Sequence, residues 1–179
     1  MPGTLHLLRH AKSSWDDPAA TDHERPLAAR GRRATAAIAG HLREARISPA
    51  LVLCSSAVRT RQTLARVSAG FDPASDLRIE IEGGLYEVSA AELLARISRV
   101  ADDVGSVMLI GHEPAIGELS LQLAGPGSNE AQLARLRQKF PTAALATFEC
   151  PSGWSELRPG MARLTGFVKP RELAASDRS

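Results

Sequence analysis

Cysteine is nearly absent from this chain: Cys54 and Cys150 are the only two in 179 residues. Two thiols make no disulfide framework. Aromatic residues contribute 4% of the sequence, so the core is expected to pack from Ala, Leu and Val. No apolar run approaches the roughly 18 residues of a membrane-spanning helix. Neither sign of charge dominates, and a net charge of +2 is too small to argue for nucleic acid. The basic cluster Arg30-Gly31-Arg32-Arg33 reads as a solvated helix face. Neither C-x-x-C nor H-E-x-x-H occurs, so a zinc site has little support. No signal-peptide pattern precedes the first strand. These absences set the expectation of a cytoplasmic protein with reduced thiols, no metal or other cofactor, and neither nucleic acid nor membrane as partner.

What is present suits one compact domain. Hydrophobic residues make up 44% of the chain, and the length fits one domain. Residues 4–8, 50–54, 78–82 and 106–110 read as strands with little polar interruption, the pattern of a sheet covered on both faces. Helical periodicity appears over 28–45, 57–69, 90–102 and 128–138, and Pro114 fits the first turn of a helix running to about Leu123. Residues 143–149 and 162–168 read as late strands. Strands alternating with helices predict a three-layer α/β/α sandwich around a central, mainly parallel sheet. The expected domain spans 1–170, with 171–179 as a C-terminal tail.

The chemistry gathers where strands end. Arg9-His10-Ala11 leaves the apolar run Leu5-His6-Leu7-Leu8, and in open α/β sheets ligands bind outside the carboxyl ends of strands. An arginine presents a fork of donors that matches phosphate oxygens. A histidine presents a ring nitrogen able to attack phosphorus. Gly111-His112-Glu113-Pro114 follows the apolar run 106–110 in the same way. After 50–53 comes Cys54-Ser55-Ser56-Ala57-Val58-Arg59-Thr60-Arg61-Gln62-Thr63. There Ser55 or Ser56 is a candidate helix cap, and Arg59 would lie in the first turn, where helix N-termini favour anions. Two arginines and two histidines at one sheet edge predict a dianion site.

These segments resemble the histidine phosphatase (phosphoglycerate mutase-like) superfamily. The resemblance is carried by Leu7-Leu8-Arg9-His10-Ala11-Lys12-Ser13, Arg25-Pro26-Leu27 with Gly31, the run Ser55 to Thr63, and Ile110-Gly111-His112-Glu113-Pro114. Lys139-Phe140-Pro141-Thr142-Ala143-Ala144-Leu145 is similar to the SixA-type phosphohistidine phosphatases within it. Ala11 stands where the superfamily more often has Gly, and Glu113 where related sequences often carry Asn. The resemblance implies a phosphoglycerate mutase-like fold and metal-independent phosphatase activity. His10 would be the nucleophile, Arg9 and Arg59 would hold the phosphoryl oxygens, and His112 would donate a further hydrogen bond to the transferring group. Arg25 is implied as another phosphate or substrate contact, with Lys12 and Ser13 beside it. Glu87, just after the strand 78–82, is implied as general acid for ester substrates. The implied partner is a phosphorylated protein bearing phosphohistidine, or a small phosphorylated substrate.

Other readings remain beside these. A cysteine phosphatase would use Cys54 with Arg59, but its loop resembles C-x5-R and this chain has C-x4-R. A small-molecule phosphomonoesterase, a non-catalytic phosphate-binding module and a phosphoglycerate mutase share the same motifs. His6 is expected as a hydrogen-bonded sheet residue, His41 as partly buried structure, His23 as rim or loop, and Trp154 as packing. Trp15 is a loop aromatic that packs on the core or on a substrate.

Overall fold

The computed structural model describes residues 1–176. Six strands form one sheet: β1 (Gly3–Arg9), β2 (Leu51–Ser55), β3 (Arg78–Glu82), β4 (Ser106–Gly111), β5 (Leu145–Cys150) and β6 (Arg163–Val168), in the order β3-β2-β4-β1-β5-β6. Pairing is parallel from β3 through β2 and β4 to β1, whereas β5 runs antiparallel to both β1 and β6. The sheet is thus mainly parallel, as expected, with one reversed strand.

Alternation along the central strands feeds two hydrophobic cores. On one face Leu5, Leu7, Leu51, Leu53, Val107 and Leu109 pack under α3 (Ala90–Ile97), α4 (Ala115–Leu123) and α5 (Glu130–Gln138). On the other, Leu8, Val52, Cys54, Met108 and Ile110 meet Ile38 and Leu42 of α1 (Ala29–Glu44) and Leu64 of α2 (Val58–Val67). That two-sided burial is why these strands read as continuous apolar runs. The edge strand β3 departs from the expectation of two covered faces: Ile79 and Ile81 are 48% and 52% exposed.

The expected tail from residue 171 is corrected in part. Pro170–Ser176 forms a sixth helix, α6, that lies against α1, with Leu173 packed on the core there. The remainder of the expected tail, 177–179, lies outside the described residues. Proline at the first helical position and Glu172 in the first turn are the local signals for this helix.

One glycine matters for the site. A Cβ on Gly31 would stand 2.2 Å from the Lys12 carbonyl oxygen. Only glycine lets α1 press onto the segment that follows β1, and Ala28 N–H donates to that same carbonyl.

Candidate active site

Strand register brings the expected residues together. Arg9 pairs with Gly111 and Cys54 with Ile110, so Arg9-His10, Ser55 and His112 all emerge at one level of the sheet edge. His10 N–H donates to Gly111 O at 3.0 Å, and the His10 and His112 ring centroids stand 5.2 Å apart. Arg59 is the second residue of α2, as the sequence predicts, and its Nη2 lies 3.3 Å from His112 Nδ1.

Hydrogen bonding fixes the tautomers. Ala11 O can only accept, so His10 Nδ1, 2.7 Å away, carries the proton. Nε2 is left with a free lone pair. Arg59 can only donate, so His112 Nδ1 accepts, and the His112 Nε2–H points to Ser55 Oγ at 2.8 Å. Arg9 Nη1 donates to Phe140 O at 2.8 Å, while its buried Nε has no partner among the described residues. A buried donor without an acceptor is costly and rare.

Burial, more than neighbouring charge, holds the histidines neutral. It pushes His10 down to about 3, helped by His112, Arg59 and Arg9 and opposed by the bond to Ala11. Burial and Arg59 push His112 down to about 4, and burial alone does the same to His6. Repulsion from the flanking arginines acts in the same direction on His10, and desolvation is the larger cause. The unfolded chain therefore binds protons below about pH 6.5 that the folded chain refuses. Stability is expected to fall as pH drops from 6.5 through the folded pKa values, by up to about 1.4 kcal/mol per unit for each buried imidazole. Ring resonances of His10 and His6 should stay fixed between pH 8 and pH 5. A titration midpoint near 6.5 for either would refute this.

The structure adds a residue that the sequence reading passed over. Asp22 Oδ2 accepts from Tyr86 OH at 2.6 Å and Arg59 Nη2 at 3.0 Å, and its Oδ1 accepts from Arg25 Nη1 at 2.9 Å. The Asp22 carbonyl also accepts from Arg59 Nη1 at 2.6 Å. The Tyr86 hydroxyl, with Arg59 and Arg25, holds the Asp22 carboxyl far below the usual range. Arg25 is tied in through this carboxylate and is buried, with Nη2 on Ser13 Oγ at 2.5 Å and Nε on Ser14 O. Its guanidinium lies 3.1 Å over Trp15, whose ring is exposed, so Trp15 does not cover the core.

Two expected residues stand outside the hydrogen-bonded cluster. The Lys12 side chain makes no hydrogen bond or ion pair among the described residues; its main chain seats α1. Glu87 is exposed on the wall of a cleft of about 360 Å³ shared with Asp22, Arg59, Tyr86, His112 and Glu113. Its φ of 55° places it in the left-handed region. Neither serine caps α2: its N-cap is Ala57, without a side-chain bond. Ser55 instead orients His112, and Ser56 Oγ meets His23 Nε2 at 2.9 Å. His23 rests edge-on against Tyr86, at the rim of the site. His6 bonds Thr147 Oγ1 at 3.1 Å within the sheet, and Trp154 is buried with its Nε1–H on Val104 O. Cys54 is fully buried, and burial pushes its thiol up to about 12, which removes the thiolate that a cysteine phosphatase needs. Among the described residues no cluster of His, Cys, Asp or Glu is arranged to hold a metal, and no helix is long and apolar enough to cross a membrane.

A strand-end histidine with a bare ring nitrogen, flanked by arginines and a second histidine, is equipped for phosphoryl transfer. Residues 5–116 match the histidine phosphatase superfamily (branch 1), and the chain belongs to that superfamily. It is a phosphatase of the SixA type. A protein assigned as phosphohistidine phosphatase SixA from Nakamurella multipartitia superposes with a TM-score of 0.80 at 31% identity, covering 95% of this chain and 97% of that one. The protein histidine phosphatase SixA complexed with tungstate gives 0.74 at 25% identity, over 95% and 99%. An uncharacterized Mycobacterium tuberculosis protein is 38% identical over 165 residues, 92% of this chain and all of the relative.

Proposed function

We propose that the chain is a metal-independent phosphatase that hydrolyses phosphohistidine on a protein through a phosphohistidine intermediate on His10. The observation that carries this reading is a strand-end His10 whose Nε2 is bare, 5.2 Å ring to ring from His112, which Arg59 meets at 3.3 Å. His10 is neutral at working pH, and the bond to Ala11 O leaves Nε2 as the nitrogen with a free lone pair. Nε2 attacks phosphorus, and the substrate's leaving nitrogen departs with its electron pair. Arg9 and Arg59 receive the phosphoryl oxygens by charge-assisted bonds. His112 contributes when its Nδ1 takes a proton, which a bound dianion favours by offsetting the charge of Arg59. Water then attacks the phosphoenzyme and restores His10.

Arginine and histidine charge takes the place a metal would hold around the transferring group. Asp22 is already engaged by three side-chain donors and is not a free metal ligand. Arg25 acts through Asp22 and Ser13 by positioning Arg59. Glu87 is the candidate acid for ester substrates, since it lines the same cleft. The neighbour described as a protein histidine phosphatase with tungstate supports both an oxyanion site and a protein substrate. Two free, buried cysteines suit a reducing compartment such as the cytoplasm.

The test is turnover of a phosphohistidine protein, alkyl phosphates and an aryl phosphate by the same preparation, with and without EDTA. We expect the phosphohistidine protein to be preferred and the rates to survive the chelator. Activity lost to EDTA and restored by a divalent ion would overturn metal independence, and preference for an alkyl ester would overturn the substrate.

A further inference from the structure

We propose that Glu113 makes this site prefer phosphoryl groups carried on a protonated nitrogen base, imidazole or guanidine, over those carried on oxygen. The inference rests on the phosphatase reading above and assigns a specificity-determining residue within it.

Glu113 follows His112 directly and lines the same cleft as His112 and Arg59. It is half-buried. Its Oε1 accepts the Gly117 N–H at 2.6 Å in the first turn of α4, which fixes the side chain. Its other oxygen has no hydrogen bond, and the carboxylate has no ion pair, among the described residues. Burial pushes the carboxyl up; the Gly117 N–H and Arg9 oppose that and Glu118 adds to it. The other charges in the cleft are Arg59, Glu87 and Asp22, and Asp22 is neutralised by its own donors. One fixed carboxylate oxygen thus stands half-desolvated beside a site built for a dianion. Both oxygens lie over Gly117 in the first turn of α4, where the helix dipole offsets part of the burial cost, and a cationic donor at the unbonded oxygen would offset more. Arg9 is near enough to act on it electrostatically, but that arginine's bonded nitrogen is committed to Phe140.

The substrate can bring the missing cation. With phosphorus between His10, His112 and Arg59, a leaving group directed past His112 and Arg59 would enter the cleft, whose remaining walls include Leu85, Val88 and Pro114. An ester leaves as an anionic oxygen, which a carboxylate repels. A phosphorylated imidazole protonated on its second nitrogen is different. The P–N bond breaks, its electron pair returns to the ring, the P–Nε2 bond to His10 forms, and the ring departs as neutral imidazole. Its second nitrogen keeps the proton throughout. A carboxylate facing that N–H holds the ring protonated and stabilises the form that leaves.

Glu113→Gln tests this without removing the helix cap, because the amide oxygen still accepts from Gly117. We expect kcat/KM for a phosphohistidine peptide to fall roughly 10- to 100-fold, the range for losing one hydrogen bond to a charged group. Turnover of 4-nitrophenyl phosphate should stay within about threefold or rise, since the variant removes a repulsive charge. The alkaline limb of kcat for the phosphohistidine peptide should move about one pH unit lower, because the bound ring loses the anion that holds its proton. Equal losses on both substrates, or an unmoved alkaline limb, would overturn the proposal. A wild type that turns over neither substrate would overturn the phosphatase reading along with it.

Discussion

His10→Ala is expected to lower turnover on every phosphorylated substrate by about 10⁴-fold or more, the scale seen when a nucleophile is removed, while the chain stays folded. The fold survives because the side chain's bond runs only to the adjacent Ala11 carbonyl. The main-chain bond from His10 to Gly111, by contrast, is untouched by the substitution. Nor does alanine carry a desolvation cost like that of a buried imidazole. The loss is chemical: no other neutral nucleophile sits at that place. His112 commits its nitrogens to Ser55 and Arg59, and the Cys54 thiol is fully buried and held protonated. Purified variant and wild type, matched by thermal melting, should be compared on an aryl phosphate and on a phosphohistidine protein. Wild type should also trap an acid-labile, base-stable phosphoryl group on the peptide carrying His10. A variant that retains wild-type turnover would remove His10 as nucleophile.

How much of this was legible in the sequence follows from the physics of each signal. The central strands were readable because burial on both faces leaves an unbroken apolar run, as in Val107-Met108-Leu109-Ile110. Their ends were readable because Arg, His and Gly interrupt that run abruptly. The direction of β5 was not: Leu145-Ala146-Thr147-Phe148 looks the same whether it runs with β1 or against it. The Phe140–Ala144 segment resembled a family motif without showing its purpose. The structure supplies one, since Phe140 O holds Arg9, and Ala143 N–H and Ala144 O bond the main chain at Arg9 and His10. Asp22 was missed for a similar reason. A single Asp in a polar loop is ordinary, and its meaning lies in Arg59 and Tyr86, 37 and 64 residues away. Only the folded chain shows that one carboxylate spans three segments.

Arg59 is where that long-range arrangement carries the most weight, and Arg59→Ala is expected to lower kcat/KM by roughly 10³-fold or more, the scale at which an arginine stabilises phosphoryl transfer. The side chain is 8% exposed and bonds both the carbonyl and the carboxylate of Asp22. Removing it leaves His112 Nδ1 without its donor and Asp22 with two donors instead of three. Arg59→Lys separates charge from shape. Lysine keeps the positive charge but has no planar fork, so it cannot hold Asp22 and meet phosphoryl oxygens from one rigid group. We expect it to recover no more than about a tenth of the lost activity. Asp22→Asn should fall between wild type and Arg59→Lys, because the Asp22 carbonyl still holds Nη1 and the amide oxygen can still accept. The order of the three variants is the measurement: steady-state kcat/KM on a phosphohistidine protein, with tungstate or vanadate inhibition as a readout of the anion site. If Arg59→Lys matched wild type in both, the fork would be irrelevant, and Arg59 would act as a point charge that Asp22 merely screens.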